Sequence, residues 1–124
     1  MMKLLVLAAL GEAATGLALV AFPTIVVRLL FGAEIVGTGV IISRVAGISL
    51  IALGLACWPG SDASVGSPKA LIGMLCYSMF ATLYLAYLGV SGEWVGILLW
   101  PAVAVHTIWI LLLARAWLTD RRTK

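Results

Sequence analysis

The chain has 124 residues, of which 64% are hydrophobic and only 10% are charged, and its mean hydropathy is +1.19. A soluble domain is typically about 45–50% apolar, so the composition excludes an ordinary soluble protein and predicts one that is solvated by lipid. The net charge of +3 indicates orientation in a membrane rather than nucleic-acid binding, because it comes mainly from the C-terminal tail.

Several apolar stretches are long enough to cross the hydrocarbon core of a bilayer, which takes about 20 helical residues. A backbone in lipid must satisfy its own hydrogen bonds, and the sequence shows no β-barrel alternation, so the predicted fold class is all-α. We expect a single integral membrane domain over residues 1–124, a four-helix transmembrane bundle with helices at 2–22, 34–58, 69–90 and 93–118.

The connections between these helices differ in character. Pro23 begins a short segment, 23–31, which either lies in the membrane interface or continues the first helix after a kink. The second helix is followed by WPGSDASVGSP, the one convincing polar loop. A tight SGE connection leads to the fourth helix, which carries Pro101 inside it.

The distribution of lysine and arginine predicts how the bundle is oriented. Positive residues in short loops and tails favour the cytoplasmic side. Arg28 would share one face with Glu34 and Glu93, and most of the positive residues would share the other, namely Lys3, Lys69, Arg115, Arg121, Arg122 and Lys124. Both termini are therefore expected in the cytoplasm.

Three ionisable residues are expected near the middle of the bilayer. Glu12 lies about 14 Å along the first helix, and Arg44 lies about 15 Å along the second, which enters from the opposite side. His106 falls near the same level in the fourth helix. A lone charge there costs roughly 2.5–3.5 kcal/mol, and a guanidinium matches a carboxylate, so we predict a Glu12–Arg44 pair.

Small residues surround this predicted pair. Gly16 lies beside Glu12, while Gly37, Gly47 and Gly54 follow the Arg44 side of the second helix, and such residues let helices pack closely. Two interpretations stay open. The pair either fixes the register of the helices, or it lets Glu12 titrate or bind a cation while His106 relays a proton.

The third helix adds three tyrosines, Tyr77, Tyr84 and Tyr87. They form either an ordinary packed stripe or the lining of a slot for a flat hydrophobic ligand. No cofactor is predicted, although a quinone or a lipid fits such a slot. Cys57 and Cys76 lie at different depths and are not expected to form a disulfide. The sequence has no catalytic triad, and a single histidine makes a poor metal site.

The segments FPTIVVRLLFG and ISRVAGISLIALGLACW resemble the DoxX-like group of small four-helix bacterial inner-membrane proteins. The resemblance lies in the proline after the first helix, the LLFG hinge, and an arginine one turn before glycine in a second helix ending ALGLA. It covers mainly the first half of the chain. It implies a bacterial four-helix bundle, with some members linked to redox or respiratory complexes, and it transfers no catalytic residue.

A second resemblance is to the small multidrug resistance exporters, which have similar length, four helices and one membrane glutamate in helix one that exchanges protons for cationic drugs. Glu12 occupies the corresponding place. Arg44 would however neutralise that carboxylate, and the glycine and tryptophan pattern of the family's third helix is missing from LIGMLCYSMFATLYLAYLG. This resemblance therefore ranks second.

These observations support three hypotheses about function. The leading one is a protein of the bacterial cytoplasmic membrane without its own catalysis, acting as an accessory subunit of a larger complex or as a binder of a hydrophobic partner. The alternative is a proton-coupled carrier that uses Glu12. A redox enzyme acting on quinone through Tyr84, His106 and Glu12 ranks third. The expected partners are the lipid bilayer and either further copies of the chain or a membrane complex, with no nucleic acid.

Overall fold

A computed structural model of the chain describes residues 2–59 and 68–123, so residues 60–67 of the predicted polar loop lie outside the described residues. All regular structure in the described part is helical: α1 (Met2–Ala21), α2 (Pro23–Phe31), α3 (Thr38–Ala56), α4 (Pro68–Ser91) and α5 (Leu99–Arg122). Four of these, α1, α3, α4 and α5, are long and apolar enough to cross a membrane. The all-α prediction is confirmed, and the chain is a multi-pass membrane protein.

The segment 23–31 forms a helix of its own rather than a kinked continuation of α1. Phe22 has a non-helical backbone (φ −132°, ψ 59°) and separates α1 from α2. Pro23 opens α2, where its missing N–H would have had no helical partner anyway. Gly32 ends the helix in the left-handed conformation (φ 67°), and its N–H donates to the carbonyl of Arg28. The chain then turns back toward α3.

The helix α3 begins at Thr38, four residues later than the sequence predicted. Gly37 precedes it with a positive φ of 54° and meets no atom that would contact an added Cβ, so it is a turn residue and not a packing residue. Glu34 lies outside the helix and forms an ion pair with Arg28 of α2. The connection from α2 to α3 is therefore held by a surface ion pair.

The helix α5 begins at Leu99 rather than at residue 93 and ends at Arg122 rather than at 118. Residues 92–98 pack instead against the end of α2, where the N–H of Gly96 donates to Leu30 O (3.0 Å) and the N–H of Leu98 donates to Leu29 O (2.9 Å). Pro101 consequently falls in the first turn of α5, where a proline is tolerated.

The four long helices form two closely packed pairs, α1 with α3 and α4 with α5, and contacts between the pairs are fewer. The first pair packs through glycine. A Cβ added to Gly16 would lie 2.5 Å from Gly47 O, and one added to Gly54 would lie 2.7 Å from Ala9 O. Such distances leave no room for a side chain, so the two backbones touch directly.

The core between the pairs lies at the end of the molecule that is distant from α2. Its buried residues come from the start of α1, the end of α3, the start of α4 and the second half of α5: Leu5, Ala8, Ala9, Cys57, Leu71, Met74 and Leu113. Trp109 and Trp117 pack against this cluster. One end of the bundle is therefore tightly filled, and the other end contains a cavity.

Candidate functional site

A cavity of about 590 Å³ lies between the two helix pairs, and all five helices line it. The α2 residues Val26, Val27, Leu30 and Phe31 contribute to its wall. Most of the lining is apolar, as in pockets that hold small hydrophobic molecules, which typically measure about 300–1,000 Å³. This cavity is the candidate functional site.

Few polar side chains interrupt the apolar wall. The hydroxyl groups of Thr15 and Ser43 donate to the carbonyls of Gly11 and Gly39 in their own helices, each at 2.9 Å. Their hydrogen-bonding capacity is thus partly used locally. The groups that remain to recognise a ligand are mainly Glu12, Tyr77 and His106, all of which line the cavity.

Glu12 lies inside the bundle because it belongs to the buried face of α1. The buried residues of this helix, Leu5, Ala8, Ala9, Glu12 and Gly16, recur every three or four positions and so form one stripe. Only 7% of Glu12 is exposed. The tight α1–α3 contact at Gly16 orients this stripe, and the carboxylate consequently faces the inner side of α4 and α5.

His106 of α5 lies close to the Glu12 carboxylate, with its Nε2 atom 3.5 Å from Oε1. The ring of Tyr77 in α4 lies 6.1 Å from the imidazole, centroid to centroid, and its hydroxyl faces the same carboxylate. Three helices thus bring Glu12, Tyr77 and His106 together, and we refer to these three residues as the polar triad.

The hydrogen bond on the other side of the imidazole restricts where its protons lie. His106 Nδ1 is 2.8 Å from the carbonyl oxygen of Ala102, and a carbonyl only accepts, so Nδ1 must carry a hydrogen. In a neutral imidazole Nε2 is then an acceptor that faces another acceptor, the carboxylate. A proton, or a donor group of a ligand, placed between the two acceptors would resolve this conflict.

The predicted Glu12–Arg44 pair is not formed in this structure. Arg44 is exposed, whereas Glu12 is buried. Two physical reasons explain the difference. Because α3 begins at Thr38, Arg44 lies about 9 Å from its start and not 15 Å. Arg44 is also offset by about 60° around the helix from Gly47, so it lies beside the contact with α1 rather than within it, and its side chain is exposed.

The three tyrosines have different environments. Tyr77 belongs to the polar triad, and Tyr84 lies at the edge of the cavity. Tyr84 and Tyr87 are stacked, with ring centroids 6.4 Å apart, and both rings are largely exposed. Of the three tyrosines in the predicted stripe, only Tyr77 lies close to the Glu12 carboxylate. The two cysteines are free, Cys57 buried in the core and Cys76 exposed.

The contribution of α2 to the cavity wall was not predicted from the sequence. The signal for this contribution was the amphipathic segment PTIVVRLLF after the first helix. His106 Nε2 is buried without a hydrogen-bond partner among the described residues, and so is the hydroxyl oxygen of Thr82, which does not line the cavity. Unsatisfied buried groups of this kind indicate room for a polar atom of a ligand or water.

The described residues contain no group of three or more histidine, cysteine or acidic residues that could hold a metal ion. The chemistry available at the polar triad is hydrogen bonding and the transfer of one proton. Comparison of the chain with protein-family models, with curated proteins and with solved structures gives no match. The resemblances found in the sequence therefore stay predictions.

Proposed function

We propose that the protein binds a hydrophobic molecule within the bacterial cytoplasmic membrane and has no catalytic activity of its own. The observation that carries this proposal is the cavity of about 590 Å³, apolar along its walls and bearing the polar triad. A pocket with convergent polar groups in an apolar lining is the usual form of a small-molecule site. The bacterial location in this proposal comes from the resemblance of the first half of the chain to DoxX-like proteins.

The polar triad defines which head group suits the cavity. Glu12 and His106 can hold one proton between them, and Tyr77 adds a hydroxyl. Together they can donate and accept hydrogen bonds but carry no net charge while the proton is present. A molecule with an apolar body and a neutral hydroxyl or carbonyl group therefore fits better than a permanent ion. Quinones and lipids with hydroxyl groups belong to this class.

The positions of charges support an orientation with both termini in the cytoplasm. Lys3 and Arg121 lie at the end of the bundle where α1 starts and α5 finishes, and Arg28 lies at the other end, paired with Glu34. In this orientation the filled core is on the cytoplasmic side, and α2 with the cavity is on the outer side.

Two alanines of α3 provide a matched test of ligand binding. Ala46 lines the cavity, and Ala52 is exposed on the same helix without lining it. The protein is purified in mild detergent as wild type, Ala46→Phe and Ala52→Phe, and organic extracts are compared by mass spectrometry. We expect one class of neutral amphiphile in the wild type and in Ala52→Phe, reduced about tenfold in Ala46→Phe because the added ring occupies the cavity.

Identical extracts from all three proteins would contradict ligand binding in the cavity. The accessory role has its own test, a pull-down from native membranes in the same detergent with mass spectrometry of proteins. Stoichiometric partner subunits would support a role within a larger complex. Recovery of the chain alone or as a homo-oligomer would leave the cavity as the whole basis of function.

A second candidate function is proton-coupled transport of a small molecule. The observation that favours it is the position of Glu12 and His106 beside the cavity, where the two groups can hold one proton between them. In a carrier, binding of the substrate would displace that proton, and release would restore it. The test is transport in proteoliposomes by Glu12→Gln, which holds no exchangeable acid. Transport that is unchanged in this variant would remove the candidate.

A further inference from the structure

Arg44 is a charged residue in a membrane-spanning helix, and it does not line the cavity. It lies within α3, one of the four candidate spans, and its side chain is exposed. It forms no hydrogen bond or ion pair with any of the described residues. A charged group in a lipid-facing position requires a partner, and this partner must come from outside the described chain.

The position of Arg44 along α3 indicates the level at which it finds that partner. It follows Thr38, the first residue of the helix, by six positions, or about 9 Å of rise. Helical side chains lean toward the N-terminus of their helix, which here is the nearer membrane surface. A long arginine side chain can therefore extend its guanidinium to the level of the lipid head groups.

A second copy of the chain offers no suitable carboxylate among its described acidic residues. Glu12 is buried, Glu34 is already paired with an arginine, Glu93 lies in the segment 92–98, and Asp120 lies near the far end of α5. None of the four lies on the exposed surface of a span at the depth of Arg44. Apart from Glu93 of a second copy, which lies at the same end of the molecule, the anion available at that level is the phosphate of a lipid.

The surface beside Arg44 suits the acyl chain of such a lipid. Ile41, Ile48 and Leu55 are seven residues apart and so follow one face of α3, and their exposed fractions are 63%, 59% and 69%. Ile41 and Ile48 are the neighbours of Arg44 at three and four positions along the helix. This apolar stripe runs from the level of the head groups toward the middle of the bilayer.

We propose that Arg44 binds the phosphate of a membrane glycerophospholipid, whose acyl chain lies along Ile41, Ile48 and Leu55. The planar guanidinium forms two parallel hydrogen bonds with phosphate oxygens, a geometry that lysine lacks. Phosphatidylglycerol suits the site because no amine in its head group competes for the phosphate. This site is separate from the cavity and does not depend on the proposed function.

The test is native mass spectrometry of the full chain, delipidated in detergent and titrated with dioleoylphosphatidylglycerol or with dioleoylglycerol, which lacks the phosphate. The wild type should bind the phospholipid at least about tenfold more tightly, as expected for charge-assisted hydrogen bonds. Arg44→Gln should lose about this factor, and Arg44→Lys should lose part of it. Arg28→Gln removes the same charge at the same end of the molecule and should bind as the wild type does.

Three results would overturn the proposal. Equal binding of the two lipids by the wild type would show that no phosphate is recognised, and this measurement requires no variant to fold. An equal loss of affinity in Arg28→Gln would show that only net charge matters. Unchanged lipid affinity in Arg44→Gln, with loss of a stoichiometric protein partner, would assign Arg44 to a protein carboxylate.

Discussion

Glu12 and His106 can lower the free-energy cost of burying ionisable groups in a membrane in a different way from an ion pair. A carboxylate and an arginine would both stay charged and would need close contact to offset their loss of solvation. An acid and an imidazole that share a proton can instead be neutral together. Nε2 and Oε1 are 3.5 Å apart and form no hydrogen bond with each other, so a polar group in the cavity can contact either atom.

The tautomer of His106 is directly measurable, because it is the one histidine in the sequence. The hydrogen bond to Ala102 O predicts that Nδ1 always carries a hydrogen. Selective ¹⁵N labelling of histidine and NMR in detergent should give one imidazole with a protonated Nδ1. A neutral ring with its proton on Nε2 would contradict the shared-proton arrangement.

Replacing Glu12 with glutamine should leave the fold intact. The amide has nearly the shape of the acid and can donate to His106 Nε2, and no arginine depends on the lost charge. We expect the free energy of unfolding to change by about 1 kcal/mol or less, measured by thermal unfolding in detergent. Glu12→Ala, which leaves both Nε2 and the Tyr77 hydroxyl without this partner, should cost more. A large loss in Glu12→Gln would reveal a charged partner.

At the scale of elements, α1 and α3 act as one unit because their backbones touch. Gly16 and Gly47 face each other, and a Cβ on either would lie within 2.6 Å of a carbonyl oxygen of the other helix. This contact keeps the stripe that carries Glu12 directed into the bundle. The geometry of the polar triad therefore depends on two residues that have no side chain.

Two glycines of α1 provide a controlled test of this contact. Gly16→Ala should force the helices apart and destabilise the protein by about 1–3 kcal/mol, as overpacking does. Gly11 lies in the same helix and meets nothing within 4 Å of an added Cβ, so Gly11→Ala should be neutral or slightly stabilising. Unfolding in detergent distinguishes the two, and equal effects would mean that helix propensity alone decides.

At the scale of the whole molecule, packing is asymmetric along the membrane normal. One end is filled by the buried core cluster, and the other contains the cavity beside α2 and the segment 92–98. The polar triad lies where these two regions meet. A ligand held there would contact both helix pairs and would link two units that otherwise share few contacts.

The orientation of this asymmetric bundle can be tested with two labels. If both termini are cytoplasmic, a cysteine introduced at Glu93 should react with a membrane-impermeant maleimide in intact cells, in a background without Cys76. A cysteine at Arg121 should react only after the membrane is permeabilised. The reverse pattern would place the cavity on the cytoplasmic side.

The sequence predicted the features that depend on composition and helical periodicity. Four apolar spans and the spacing of Gly16 and Gly47 are of this kind. The prediction that Arg44 pairs with Glu12 was wrong, because it depended on the residue at which α3 begins and on the rotation of α3 about its axis. Those depend on tertiary contacts, namely the ion pair of Glu34 before α3 and the packing of Gly47 against α1. Hydropathy alone does not encode them.

The attachment of residues 92–98 to α2 has a consequence for which substitutions this segment tolerates. Its two hydrogen bonds join main chain to main chain, so they are insensitive to most side chains. Gly92 is restricted by its positive φ of 75°, and Gly96 by the backbone of Leu29 and Leu30 against which it lies. A saturation library over this segment should therefore retain glycine at these two positions while Val95 and Ile97 vary widely among apolar residues.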